Sequence, residues 1–227
     1  MARQLGFDLP SRTALGRDAF FVAPSNAMAA ALIDGWQTWP GGKLVLTGPP
    51  GSGKTHLAHV WAAASGSAIV AARDLPGADI PTLARAPVAV EDVPEIAGDD
   101  AAETALFHLH NLVLAEGRAL LLTGTPPVAR WGLTLPDLVS RMRGTTEAML
   151  EPPDDALLAA VLVKMLADRQ LTPRPEVIAY LVSRMDRSFA AAGDLVERLD
   201  AASLAQKRGI TRRLAAEVLD NADGPAR

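Results

Sequence analysis

Residues 48–55, Gly48-Pro49-Pro50-Gly51-Ser52-Gly53-Lys54-Thr55, restrict the fold more than any other stretch of the chain. The spacing Gly48-x-x-x-x-Gly53-Lys54-Thr55 has meaning only where a strand runs directly into a helix. There the glycines let successive backbone N–H groups turn onto phosphate oxygens, and the helix N-terminus adds a favourable dipole. The flanks meet that requirement. Lys43 to Thr47 is a short apolar run bounded by glycines, which reads as a buried strand, and Thr55 to Ser65 reads as the helix that follows. The motif therefore implies a site for a purine nucleoside triphosphate or diphosphate. Gly48, Pro49, Pro50, Gly51, Ser52 and Gly53 form its cradle, Lys54 meets the β- and γ-phosphates, and the Thr55 hydroxyl ligates Mg2+. His56, next along the helix, is counted with the binding residues.

The remaining pattern alternates. Ala68 to Ala72, Pro87 to Glu91 and Ala119 to Thr123 read as strands, and Ala101 to Glu116 as a helix. An earlier helix is expected over Ala27 to Trp39, capped by Ser25 or Asn26 and stopped by Pro40-Gly41-Gly42. Strands alternating with helices predict an α/β fold, a parallel sheet with helices on both faces. From Asp154 onward the signals are helical only, over 154–170, 173–185, 188–208 and 211–221. Pro173 suits a first helical position, and Ser188 and Thr211 suit N-caps. Glu151-Pro152-Pro153 reads as the joint between the two parts, and residues 1–18 as an extended arm.

Composition narrows the setting. Apolar residues are 49% of the 227 and aromatics 4%, so the core should consist of Ala, Val and Leu. No window approaches the roughly 20 apolar residues of a membrane span. There is no cysteine for a disulfide or a thiolate metal site, and the formal charge of −4 leaves no broad basic footprint for nucleic acid. A cytoplasmic protein with no membrane association is the expectation.

A second acidic element belongs at the end of a neighbouring strand, and Val88-Ala89-Val90-Glu91-Asp92 supplies it. Strand alternation would send Glu91 and Asp92 to opposite faces. Glu91 would then reach the metal through water, alongside Thr55, with Asp92 next to it at the catalytic edge. Thr125, after Leu120-Leu121-Leu122-Thr123-Gly124, is placed to bond a γ-phosphate or a water, though a turn-forming threonine fits that position equally well. His56, His59, His108 and His110 lack acidic partners at ligand spacing and read as helix-surface or core-edge residues.

In this order the blocks resemble the AAA+ ATPases and, more narrowly, the DnaA/Hda family of replication initiators and their regulators. Phe20-Phe21-Val22-x-Pro24-Ser25-Asn26 resembles the family's adenine-site motif, which implies base contacts from Phe21 and Val22. Pro136-Asp137-Leu138-Val139-Ser140-Arg141-Met142 resembles the box carrying an arginine finger, so Arg141 would project toward nucleotide on a neighbouring subunit; an arginine capping its own short helix is the other reading. Met185-Asp186-Arg187-Ser188-Phe189 resembles the approach to the second sensor, but Ala190 stands at the sensor-arginine position, leaving Arg187 as the substitute. Gln4-Leu5-Gly6-Phe7-Asp8-Leu9 resembles the peptide with which such regulators bind the DNA polymerase sliding clamp. Gln4, Leu5, Phe7 and Leu9 would be its contacts, unless these apolar groups staple the arm to its own domain.

The resemblance implies an arm over 1–18, an AAA+ nucleotide-binding domain over 19–151 and a small all-helical lid over 152–227. It further implies a negative regulator of replication initiation that binds ATP or ADP with Mg2+, docks on the sliding clamp and promotes hydrolysis of ATP held by the DnaA initiator. Assembly with further copies of itself is compatible with that architecture. The chain ends just beyond the helical region, so no sequence-specific DNA reading is expected. An independent AAA+ ATPase of the helicase-loader kind, a small-substrate kinase and a non-hydrolysing nucleotide-bound scaffold are the competing readings.

Overall fold

The computed structural model describes residues 21–220, so Gln4, Leu5, Phe7 and Leu9 of the arm lie outside the described residues. Strands β1 (Lys43–Thr47), β2 (Ala68–Ala71), β3 (Val88–Glu91), β4 (Leu120–Gly124) and β5 (Glu147–Met149) form one sheet in the order β2-β3-β4-β1-β5. Every neighbouring pair is parallel. Parallel neighbours need crossovers, supplied by α2 (Lys54–Ser65), α3 (Ile80–Leu83), α4 (Asp100–Ala115) and α5 (Pro136–Arg143), with α1 (Ala27–Asp34) ahead of β1.

Successive strand side chains point to opposite faces, and here both faces are covered. Val45, Val88, Val90, Leu120 and Leu122 pack with Leu106, Leu109 and Val113 of α4 and with Leu138 and Met142 of α5. Leu44, Leu46, Ala89, Leu121 and Ala148 pack with Ala29 and Ile33 of α1 and Leu57, Ala58 and Trp61 of α2. This two-sided burial is why β1, β3 and β4 read as unbroken apolar runs. The second face corrects the expectation of a core without rings. Trp39 stacks on Trp61 at 5.3 Å and Trp36 meets Trp61 edge-on at 6.2 Å, in a cluster whose small residues, Ala29 and Ala58, leave volume for the indoles.

Two boundaries and one cap are the clearest departures from the sequence reading. The first helix stops at Asp34 rather than Trp39 because the chain turns at Gly35 into short 3-10 segments at Trp36–Thr38 and Pro40–Gly42. Asn26 occupies its N-cap position without capping: its side chain accepts from the Ala23 N–H at 2.8 Å and donates to the Phe21 carbonyl at 2.9 Å, shaping the preceding segment. Third, the seventh helix begins at Pro175, two residues after the expected proline.

Helices α6 (Asp155–Asp168), α7 (Pro175–Val182), α8 (Phe189–Gln206) and α9 (Arg212–Asp220) share an apolar cluster of their own, centred on Leu158, Leu162, Leu181, Leu195, Leu199 and Leu214. Short polar side chains cap the starts of α6, α8 and α9. The Asp154 carboxylate accepts from the Leu157 N–H at 2.8 Å, the Ser188 hydroxyl from Ala191 at 3.0 Å and the Thr211 hydroxyl from Leu214 at 3.3 Å. Among the described residues no helix is long and apolar enough to cross a membrane.

One buried charge organises the approach to α5. Glu103 is 0% exposed in the first turns of α4. Its carboxylate accepts from the backbone N–H groups of Gly98 at 2.8 Å, Thr134 at 2.9 Å and Leu135 at 2.7 Å, and from the Thr134 hydroxyl at 3.2 Å. Burial alone would raise its pKa, but the donors from Leu135, Gly98 and Thr134 outweigh it and hold the carboxyl below its ordinary value. Leu135 is the residue immediately before α5, so this carboxylate fixes where that helix starts.

Candidate functional site

A parallel sheet delivers the C-terminal ends of its strands to one edge, the usual place for a ligand in such folds. Here that edge carries the loop after β1, the acidic pair after β3 and Thr125 after β4. Gly51 (φ 71°) and Gly53 (φ 98°) take left-handed conformations that let the loop wind tightly into α2. The Lys54 ammonium lies inside the loop, donating to the carbonyls of Gly48 at 2.8 Å and Pro49 at 3.0 Å. The Ser52 hydroxyl is buried with no hydrogen-bond partner, as is Oε1 of Glu91. Thr55 is exposed on the first turn of α2. A polyphosphate fits this arrangement: the loop offers a helix N-terminus, an unsatisfied hydroxyl, a held ammonium and an open threonine hydroxyl on one concave turn.

The acidic pair does not follow simple alternation. Asp92 sits immediately beyond β3 with φ 56° and ψ 44°, a left-handed residue, and its N–H donates to the Thr123 hydroxyl at 3.2 Å. That turn ends the strand, so the alternation that runs up to Glu91 does not set where Asp92 points. Burial draws the Lys54 ammonium below its ordinary pKa, while Asp92 and then Glu91 favour its charged form. Thr123, buried in β4, is the hydroxyl that touches the acidic element; Thr125 stands exposed one residue past the strand.

On the other side of α2, Phe21 and Val22 are 38% and 53% exposed. The Lys164 ammonium of α6 lies 6.0 Å from the Phe21 ring centroid, and burial together with Lys164 and His59 holds His56 below its usual pKa. Phe21 thus offers an exposed aromatic ring with a cation beside it. Lys164 carried no signal in the sequence reading.

The helical region touches the loop directly. The Phe189 N–H, at the start of α8, donates to the Gly51 carbonyl at 3.0 Å. A Cβ on Gly51 would collide with Ser188, and one on Gly53 would fall 2.9 Å from the Phe189 ring. Ser188 and Phe189 are therefore packing partners of the loop, which sequence reasoning did not foresee beyond the cap at Ser188. Ala190 is exposed, and the Arg187 guanidinium pairs with Asp155 at 2.7 Å on α6.

Arg141 is not brought to this edge. Its carbonyl accepts from the Lys43 ammonium at 3.2 Å and from the Thr145 hydroxyl at 2.7 Å, and its guanidinium lies 5.2 Å from the Phe107 ring centroid. Lys43 opens β1 and the phosphate loop closes it, so the strand's length, roughly 13–16 Å at ~3.3 Å per residue, separates the two. Lys43 also lies 3.2 Å from Nε2 of His110, which is 1% exposed and so belongs to the core, not its edge. Burial, then the neighbouring Lys43 and Arg141 charges, push the His110 pKa down to about 4 against the Asn111 hydrogen bond, which favours the charged form.

The stability consequence has a definite sign. A depressed histidine contributes stability that is complete above its unfolded value of 6.5 and is lost as pH falls toward about 4, on the order of 3 kcal/mol in all. Denaturant titrations at pH 7 and pH 4.5 should show a fall that is smaller in His110→Gln; equal pH dependence in the two proteins would remove this histidine from the account.

Comparison with known proteins identifies the parts. Residues 155–219 match the family model of the Hda lid domain. Domain III of the Thermotoga maritima replication initiation protein DnaA superposes with a TM-score of 0.78 at 19% identity, covering 93% of this chain and 98% of that one. AMPPCP-bound DnaA from Aquifex aeolicus gives 0.71 at 19% identity, over 88% of this chain and 68% of that one. A point mutant of Thermotoga maritima RuvB gives 0.67 at 17% identity, over 87% and 68%. At these identities the structural likeness is one of fold, and the family match is confined to residues 155–219. A region matching the Hda lid model is thus joined to a nucleotide-binding domain with the fold of the replication initiators' domain III.

Proposed function

We propose that this protein is a regulatory inactivator of the DnaA initiator, restraining replication by promoting hydrolysis of DnaA-bound ATP. The observation that supports the reading is the position of Arg141, at the end of the sheet opposite its own phosphate loop, which keeps its guanidinium from its own nucleotide and leaves it available to another molecule's. The Hda-type lid supports the same reading. In this scheme the chain's own loop holds ADP or ATP: Ser52, Gly53, Lys54 and Thr55 take the phosphates, Phe21 and Val22 the base, and Thr55 with Glu91 the Mg2+ shell. The Aquifex aeolicus relative of this fold was captured with AMPPCP. Bound Mg2+ would neutralise phosphate charge, while Lys54, Asp92 and Glu91 fix the polarity of the pocket around it. With no cation at Ala190 and Arg187 paired to Asp155, intrinsic turnover should be weak.

The arm would tether this activity to replicating DNA in the cytoplasm, with Gln4, Leu5, Phe7 and Leu9 seated in a groove of the sliding clamp. Release of labelled phosphate from DnaA-bound ATP should require both this protein and DNA-loaded clamp. It should fall to background with Leu5→Ala combined with Phe7→Ala, a variant that keeps its own nucleotide affinity. Equal turnover of free ATP by this chain alone would identify an independent ATPase instead; tight nucleotide binding without stimulation would identify a scaffold.

A further inference from the structure

On the reading that Arg141 serves a nucleotide held by a partner, we propose that Lys43, seated on His110, is a positioning residue that holds the C-terminal turn of α5 so that Arg141 faces outward. The helix is only eight residues long, from Pro136 to Arg143, and makes few backbone bonds of its own, so its aim depends on what grips its ends. The buried Glu103 carboxylate grips the beginning, through Thr134 and Leu135. At the far end the Arg141 carbonyl is one of the last of the helix and lacks an intrahelical partner; the Lys43 ammonium and the Thr145 hydroxyl supply donors for it.

Lys43 can do this because of His110. Its ammonium has three donors, of which one goes to the Arg141 carbonyl and one faces His110 Nε2. That nitrogen accepts only while the ring is uncharged, which its burial ensures at neutral pH. The lysine stem is thereby fixed between β1, α4 and α5, and the Arg141 side chain, laid along Phe107 of α4, shares the same support. Among the described residues neither Lys43 nor Arg141 has a carboxylate partner. Two cations held together with no internal counter-charge make a face that is complete only against an anion brought from outside, and a phosphate chain is the anion that the proposed function brings there.

The test combines two measurements on the full-length protein. In the clamp-dependent assay, Lys43→Met, which keeps the stem's volume, should lower the maximal rate of DnaA-bound ATP hydrolysis about tenfold. The half-saturating concentration should stay within about twofold, as expected of a misplaced group rather than a lost contact. His110→Gln, whose side-chain carbonyl can still accept from Lys43, should keep most of the rate. In the free protein, amide exchange at Gly144 and Thr145, whose N–H groups close the last turn onto Ser140 and Met142, should accelerate in Lys43→Met and not in His110→Gln, with melting temperature as the control for global stability. Unchanged exchange in Lys43→Met overturns the inference, as does an unchanged maximal rate. Accelerated exchange in a protein whose wild type gives no stimulation leaves Lys43 as the holder of this turn and removes the inactivator reading instead.

Discussion

Lys54→Ala is expected to lower the affinity for ADP and ATP by at least about a hundredfold, the loss of roughly two charge-assisted hydrogen bonds to phosphate. The fold should survive, because the bonds from Lys54 to the Gly48 and Pro49 carbonyls stay within the loop itself and anchor no strand or helix of the core. The residues that bury α2, Leu57, Ala58 and Trp61, are untouched. Titration with a fluorescent adenine nucleotide, beside a melting curve, separates the two quantities. Retained affinity would place the nucleotide somewhere other than this loop, and the account of the site built on Ser52, Thr55 and the Asp92–Glu91 pair would go with it.

Glu103→Ala is expected to lower stability by about 3–5 kcal/mol, since it leaves the N–H groups of Gly98, Thr134 and Leu135 without their acceptor in a fully buried place. Urea denaturation monitored by tryptophan fluorescence measures it, with Glu103→Gln as the milder companion that keeps one carbonyl oxygen. The same change frees the segment that leads into α5, so in the clamp-dependent assay Glu103→Ala should also lose rate at temperatures well below its melting point. A loss under about 1 kcal/mol would mean that water or a shifted loop satisfies those groups as well as the carboxylate does.

The phosphate loop was legible because its chemistry is local: eight consecutive residues hold both the glycines that permit the turn and the lysine and threonine that use it. The doubly buried strands were legible for a similar reason, since a parallel sheet covered on both faces needs continuous apolar runs. What escaped reading depends on groups distant in sequence. The last strand has three residues and only Ala148 turned inward, too short to show a period. Nothing in the helical pattern around Glu103 marks it as buried, and its partners Thr134 and Leu135 lie 31 and 32 residues downstream. Lys43 and His110 are 67 residues apart and meet only because β1 and α4 pack together. The left-handed turn at Asp92 is held by the Thr123 hydroxyl on the adjacent strand, so no alternation rule applied to Glu91-Asp92 alone could have given the backbone conformation there.

The bond from the Phe189 N–H to the Gly51 carbonyl closes a circuit between parts of the chain nearly 140 residues apart. Any free energy by which a ligand tightens the loop around Gly51 must reappear, with the same size and sign, as tighter docking of α8; any change that loosens α8 must weaken that ligand by the same factor. In a chain with Ala190 where an arginine would sense the phosphates, this reciprocity gives the lid a second means of registering what the loop holds: a main-chain contact that responds to the shape of the loop and needs no charge to reach the ligand.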